Sequence, residues 1–96
     1  MRIEGFVHKG LKKLYLEDSA KSVPAGAVDK LRKMLAFLEQ MGDEEELEAI
    51  PVWKAHRLTG NRKGVWSLHV TKNWRLTFWI DHSSKEVRDV NLEDYH

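Results

Sequence analysis

The hydrophobic period of this chain changes once, from helical to alternating, and that change limits the fold more than any other feature. In the first half, Leu11, Leu14 and Tyr15 fall at i, i+3 and i+4 with lysines between them. This spacing predicts an amphipathic helix, after a short opening strand over residues 2–7. Val28, Leu31, Leu35 and Leu38 form a second apolar stripe. Pro24 suits its start, where a missing N–H costs nothing, and Gly42 is placed to end it. Asp43 and Glu46 have the spacing of an acidic capping box, which predicts a third, short helix over 44–50 before Pro51.

From Trp53 onward the period is two, interrupted by turn residues at 60–64, 71–73 and 81–84. Four antiparallel strands are predicted over 54–58, 65–70, 74–80 and 86–92. Leu76, Phe78 and Ile80 lie on one face, and Arg75, Thr77 and Trp79 on the other. The fold class expected is α+β: two N-terminal helices packed on one face of an antiparallel sheet, with the Arg75 face left for function. No repeat, linker or low-complexity run divides residues 1–96, so one domain is predicted.

A chain of 96 residues has little core to spare for an enclosed pocket. An open surface fits a polymer substrate better than a small metabolite. The absence of cysteine excludes a disulfide framework and thiolate metal ligation. No apolar run reaches the ~18 residues that span a bilayer, no signal-peptide pattern opens the chain, and a cytoplasmic protein without membrane contact is expected. The net charge of +1 hides a strong asymmetry. Residues 39–48 contain six acids and no base, whereas residues 49–80 contain Lys54, Arg57, Arg62, Lys63, Lys72 and Arg75 and no acid. One part of the surface should be positive, as nucleic-acid binding requires.

Several short motifs then occur in a fixed order. They are residues 6–13 (Phe-Val-His-Lys-Gly-Leu-Lys-Lys), His-x-Leu-x-Gly from His56, Gly-x-Trp-Ser from Gly64, Asn-Trp-Arg-Leu-Thr-Phe from Asn73, and Asp94-Tyr95-His96. In this order the chain resembles the HigB group of the RelE/ParE toxins. The resemblance implies a microbial RNase-like fold, cleavage of messenger RNA in the ribosomal A site, and neutralisation by a separate helix-turn-helix antitoxin of the HigA type, the free toxin being a monomer. It also assigns roles: His56 and His96 to proton transfer, Asp94 to orienting or assisting a histidine, Tyr95 to stacking or proton donation, and Arg75 to the phosphate. Arg57, Arg62, Lys63 and Asn73 are the expected RNA contacts. Where this chain has Thr59, toxins of the group often carry a lysine, so a phosphate-binding cation is either missing or supplied by Arg57 or Arg62.

These residue types suit metal-free RNA cleavage, in which the substrate's own 2′-OH attacks. Histidine can exchange protons near neutrality, and an arginine fork can hold two phosphate oxygens. No H-E-x-x-H or comparable ligand spacing calls for a metal, and no phosphate loop for a nucleotide cofactor. His8, His69 and His82 are read as surface or structural histidines, and Trp66 and Trp74 as packing residues, with Trp79 open between packing and base stacking. Two other functions compete: a non-catalytic ParE-like inhibitor of a protein target such as DNA gyrase, and a decayed RNA-binding module. Neither needs the pairing of His56 with the terminal histidine.

Overall fold

A computed structural model describes residues 1–95. It has two α-helices, α1 (Lys9–Glu17) and α2 (Val28–Gln40), and one sheet of five strands: β1 (Arg2–Ile3), β2 (His56–Arg57), β3 (Trp66–His69), β4 (Trp74–Asp81) and β5 (Glu86–Asp94). Across the sheet the order is β1-β5-β4-β3-β2.

Local chemistry sets the ends of the helices. The Nδ1 atom of His8 caps α1, accepting the Leu11 N–H at 3.1 Å. Burial lowers the His8 pKa, which favours the neutral ring that this cap needs. At the other end Asp18 adopts the left-handed conformation (φ 55°) and its carboxylate pairs with Arg32 of α2. Pro24 leads into a 3-10 turn, Ala25–Ala27, that runs directly into α2. Gly42 does not end α2 as expected. Met41 turns extended (φ −69°, ψ 145°), while the Gly42 N–H is used by Glu46 at 2.8 Å. The capping box is present: Asp43 and Glu46 hold the start of a 3-10 helix, Glu44–Ala49.

The expected all-antiparallel sheet needs one correction. β1 joins as a fifth strand, parallel to β5, with Arg2 opposite Glu86 and Ile3 opposite Val87. Parallel neighbours need a long crossover, and here both helices and three strands lie between the two partners. Backbone pairing continues past β1, through Glu4 N–H to Val87 C=O at 2.9 Å and Val7 N–H to Val90 C=O at 2.8 Å. It is interrupted opposite Asp89, which sits at φ 53° in a bulge of β5. The other pairings are antiparallel.

Leu31, Met34, Leu35 and Leu38 of α2 and Leu11 and Leu14 of α1 share one core with Leu68, Leu76, Phe78, Ile80, Val87, Val90 and Leu92 of the sheet. Alternation then turns Arg75, Thr77 and Trp79 away from that core.

One backbone approach is tight enough to test. A Cβ added to Gly10 would stand 2.3 Å from the carbonyl oxygen of Ser22, a backbone atom that cannot swing aside. Gly10→Ala should therefore destabilise the fold by about 1–3 kcal/mol, the range for overpacking, despite alanine's better helix propensity. Urea titration checks this, and a stability equal to or above wild type would contradict the contact.

Candidate active site

The strand register brings the chemistry together. His56 pairs with Ser67, Ser67 with Thr77, and Thr77 with Asn91, so these four residues form one row across β2, β3, β4 and β5. The next row on the same face is His69, Arg75 and Glu93. Residues directly opposite one another point to the same side of a sheet. The core lies on the other side, so both rows belong to the face turned away from it, the candidate functional face.

Glu93 organises this face. Arg62, carried by the 3-10 turn Gly60–Arg62, donates to both its oxygens at 2.9 and 2.5 Å, and the Thr77 hydroxyl donates at 2.5 Å. The hydrogen bonds from Arg62, and after them Thr77, hold the Glu93 carboxyl below the usual carboxylate range, against the opposing effect of burial. Glu93 is therefore an anion near neutrality and fixes Arg62 in place.

Arg75 lies against Tyr95, with its guanidinium carbon 4.7 Å from the ring centroid. Its Nη1 donates to the carbonyls of Thr71 at 2.7 Å, Trp74 at 3.0 Å and Lys72 at 3.4 Å. Among the described residues, Nε and Nη2 make no hydrogen bond and carry the donors available to a phosphate. The Tyr95 N–H donates to the Asn73 carbonyl at 2.6 Å, which ties the end of β5 to the β3–β4 turn. The Nδ1 atom of His56 is 2.8 Å from the Lys54 carbonyl, leaving Nε2 as its outward atom.

The expected residues divide into two groups. His56, Arg62, Arg75 and Tyr95 share the face with Asn73 at its edge. Arg57 does not join them: one residue on from His56, it points the other way, pairs with the Glu44 carboxylate and lies 5.2 Å over the Trp66 ring. Lys63 and Arg57 line a neighbouring hollow of about 370 Å³ with Glu44, Trp66 and His82, and Trp79 borders both it and this face. Asp94 pairs with Trp74, one position beyond the Arg75–Glu93 pair, so alternation puts it on the other side of β5 from Glu93. His96 lies outside the described residues. Among the described residues no group of three or more His, Asp or Glu could hold a metal ion.

Ser67, His69, Thr77, Asn91 and Glu93 of this face were not singled out from the sequence as part of the site. Glu93 and Asn91 fall on β5, whose predicted end at residue 92 left Glu93 off the sheet. His69 stands opposite Arg75, and burial followed by the Arg75 charge lowers its pKa. His8 and His82 have structural partners, the N-cap of α1 and Glu44 at 3.1 Å respectively. No helix of the described residues is long and apolar enough to cross a membrane.

The chain shares its fold with solved toxin structures. Its fold is similar to that of YafQ from E. coli strain BL21(DE3), with a TM-score of 0.61 at 19% identity over 98% of this chain and 93% of that one. It is also similar to a YoeB/ParE toxin from Agrobacterium tumefaciens, with a TM-score of 0.60 at 16% identity over 100% and 99% of the two chains. The family is shown by sequence. Residues 4–96 match the model of the RelE-like toxin of type II toxin-antitoxin system HigB. The chain is 37% identical over 94 residues to the endoribonuclease HigB of Proteus vulgaris, covering 98% of this chain and 99% of that protein. This chain belongs to the HigB family of RelE-like toxins.

Proposed function

We propose that this protein is the toxin of a type II toxin-antitoxin pair and an endoribonuclease that cuts messenger RNA in the ribosomal A site, restrained by a separate HigA-type helix-turn-helix antitoxin. The observation that carries this reading is the pair of cross-strand rows, which gather His56, Arg75, Glu93-bound Arg62 and Tyr95 on one sheet face. The two helices packed on the opposite face leave this one for a polymer, as the microbial RNase-like fold requires.

The reaction needs no metal. The 2′-oxygen bonds to phosphorus while its proton passes to a base, the P–O5′ bond breaks, and an acid gives a proton to the leaving 5′ oxygen. His56 and His96 exchange these protons, each step worth roughly 10²- to 10⁴-fold. Asp94 orients a histidine, and Tyr95 stacks on the substrate or donates a proton. Arg75 neutralises charge building on the phosphate. Arg62, held on this face by Glu93, supplies the cation that Thr59 does not through Nε and the second hydrogen of each Nη, whereas Arg57 points off the face to Glu44. Asn73 meets a base edge at the rim, and Lys63 meets a more distant phosphate.

Purified protein should cut mRNA on programmed ribosomes much faster than free mRNA, and EDTA should leave the rate unchanged. Equal rates on free RNA would remove ribosome dependence, and a loss with EDTA that added metal restores would remove the mechanism.

A further inference from the structure

Trp79 is 38% exposed, two residues along β4 from Thr77 on the functional face. The side chain is not loose, because its indole N–H donates to the Asp89 carboxylate at 2.7 Å. Asp89 itself holds φ at 53°, in the bulge that interrupts pairing between Thr77 and Trp79. Glycine would occupy that conformation at no steric cost, whereas a side chain there is strained. What aspartate adds at this position is the bond that orients the indole. Trp79 then forms one end of a groove of about 160 Å³ that includes Val7, Val65, Thr77 and Asn91 and reaches Arg62 and Glu93 at the other end. Asn91 accepts the Leu92 N–H with its Oδ1 at 3.0 Å, and its amide nitrogen makes no hydrogen bond among the described residues.

We propose that this groove is a nucleobase subsite: the base next to the scissile phosphate stacks on Trp79, and the Asn91 amide donates to an acceptor on the edge of that base. The subsite rests on the ribonuclease reading above. Thr77, which shares Glu93 with Arg62, lies two residues along β4 from Trp79, about 6.4–6.8 Å, a distance that one nucleotide bridges between base and phosphate. A phosphate held by Arg62, which lines the same groove, therefore leaves a neighbouring base within reach of the indole, whereas Arg75 stands four residues along β4 from Trp79. Stacking accepts any base, and the single donor adds a preference for bases that offer an acceptor at that edge. Trp79 and Asn91 are thus binding groups, and Asp89 is a positioning residue.

The test is cleavage of mRNA on ribosomes programmed with a set of A-site codons, for wild type, Trp79→Ala, Trp79→Phe, Asn91→Ala and Asp89→Gly. Loss of stacking is worth about 1–3 kcal/mol per base, so Trp79→Ala should cleave roughly 5- to 150-fold more slowly, with Trp79→Phe keeping most of the rate. Asn91→Ala should change the relative rates among codons. Asp89→Gly should fold at least as stably as wild type and still cleave more slowly, a split that a purely structural role does not produce. If Trp79→Ala does not fold, Trp79→Phe, Asn91→Ala and Asp89→Gly decide. Wild-type rates and an unchanged codon profile in all folded variants would overturn the subsite while leaving the ribonuclease reading intact. Normal cleavage by Trp79→Ala with loss of antitoxin neutralisation would reassign the groove to a protein partner and overturn it too. Absence of cleavage by the wild type would remove the ribonuclease reading and the subsite together.

Discussion

Arg75→Ala is expected to slow mRNA cleavage on programmed ribosomes by about 10²- to 10³-fold, the typical cost of removing one group that stabilises developing charge. Its melting temperature should stay within a few degrees of wild type. Two features separate these outcomes. The protein contacts of the guanidinium are made through Nη1 to turn carbonyls and through the Tyr95 ring, which is itself 58% exposed. The exposed ring contact is worth about 0.5–1 kcal/mol, and a typical net hydrogen bond about 0.5–1.5 kcal/mol. Arg75→Lys keeps the charge but loses the planar fork, so it should recover only part of the rate. Removal of Tyr95 and His96 should repeat the pattern. A terminus ordinarily tolerates loss, yet here it takes away the ring that rests on Arg75 and one proposed proton-transfer group. Wild-type cleavage by the shortened chain would show that the proposed site is wrong, whatever becomes of the family assignment.

Phe78→Ala is expected to have the opposite profile. Phe78 is 1% exposed, lies in the middle of β4, and belongs to the core shared by the helices and the sheet. Truncating a buried phenylalanine to alanine costs about 3–5 kcal/mol, against a total of about 5–15 kcal/mol for an ordinary domain. In a chain this short, a loss of that size lowers the melting temperature by about 12 °C or more. Cleavage should fall in proportion to the unfolded fraction and recover on cooling. A melting temperature within a few degrees of wild type would mean that the core closes around the gap.

Much of the fold was readable because burial imposes a period. Leu76, Phe78 and Ile80 alternate with Arg75, Thr77 and Trp79, and this alternation alone marks which face of β4 joins the core. The capping box of Asp43 and Glu46 was equally plain, since it depends on two residues at fixed spacing. What stayed hidden depends on partners distant in sequence. A two-residue strand such as β1 has no period to detect, so its parallel place beside β5 could not be read. The bulge at Asp89 arises from a left-handed backbone angle that an aspartate between Val87 and Val90 does not announce. Arg57 and Arg62 look alike in sequence, yet Glu44 takes one and Glu93 the other. The family motif drew attention to Asp94, whereas the carboxylate facing Arg62 and Thr77 is its neighbour Glu93. An end for β5 two residues later would have exposed that difference.

The pairing of β1 with β5 also makes completion of the sheet a long-range event. Arg2 and Glu86 are 84 positions apart, so the edge of the sheet closes only by bringing together distant parts of the chain. Such non-local closure is slow compared with helix formation. β5 is also the strand that carries Glu93, and with it the anchor of Arg62. Helices can thus form early on a nascent chain while the cleavage face is still unmade. The Arg62–Glu93 pair, 31 positions apart, then forms only once β4 and β5 have met.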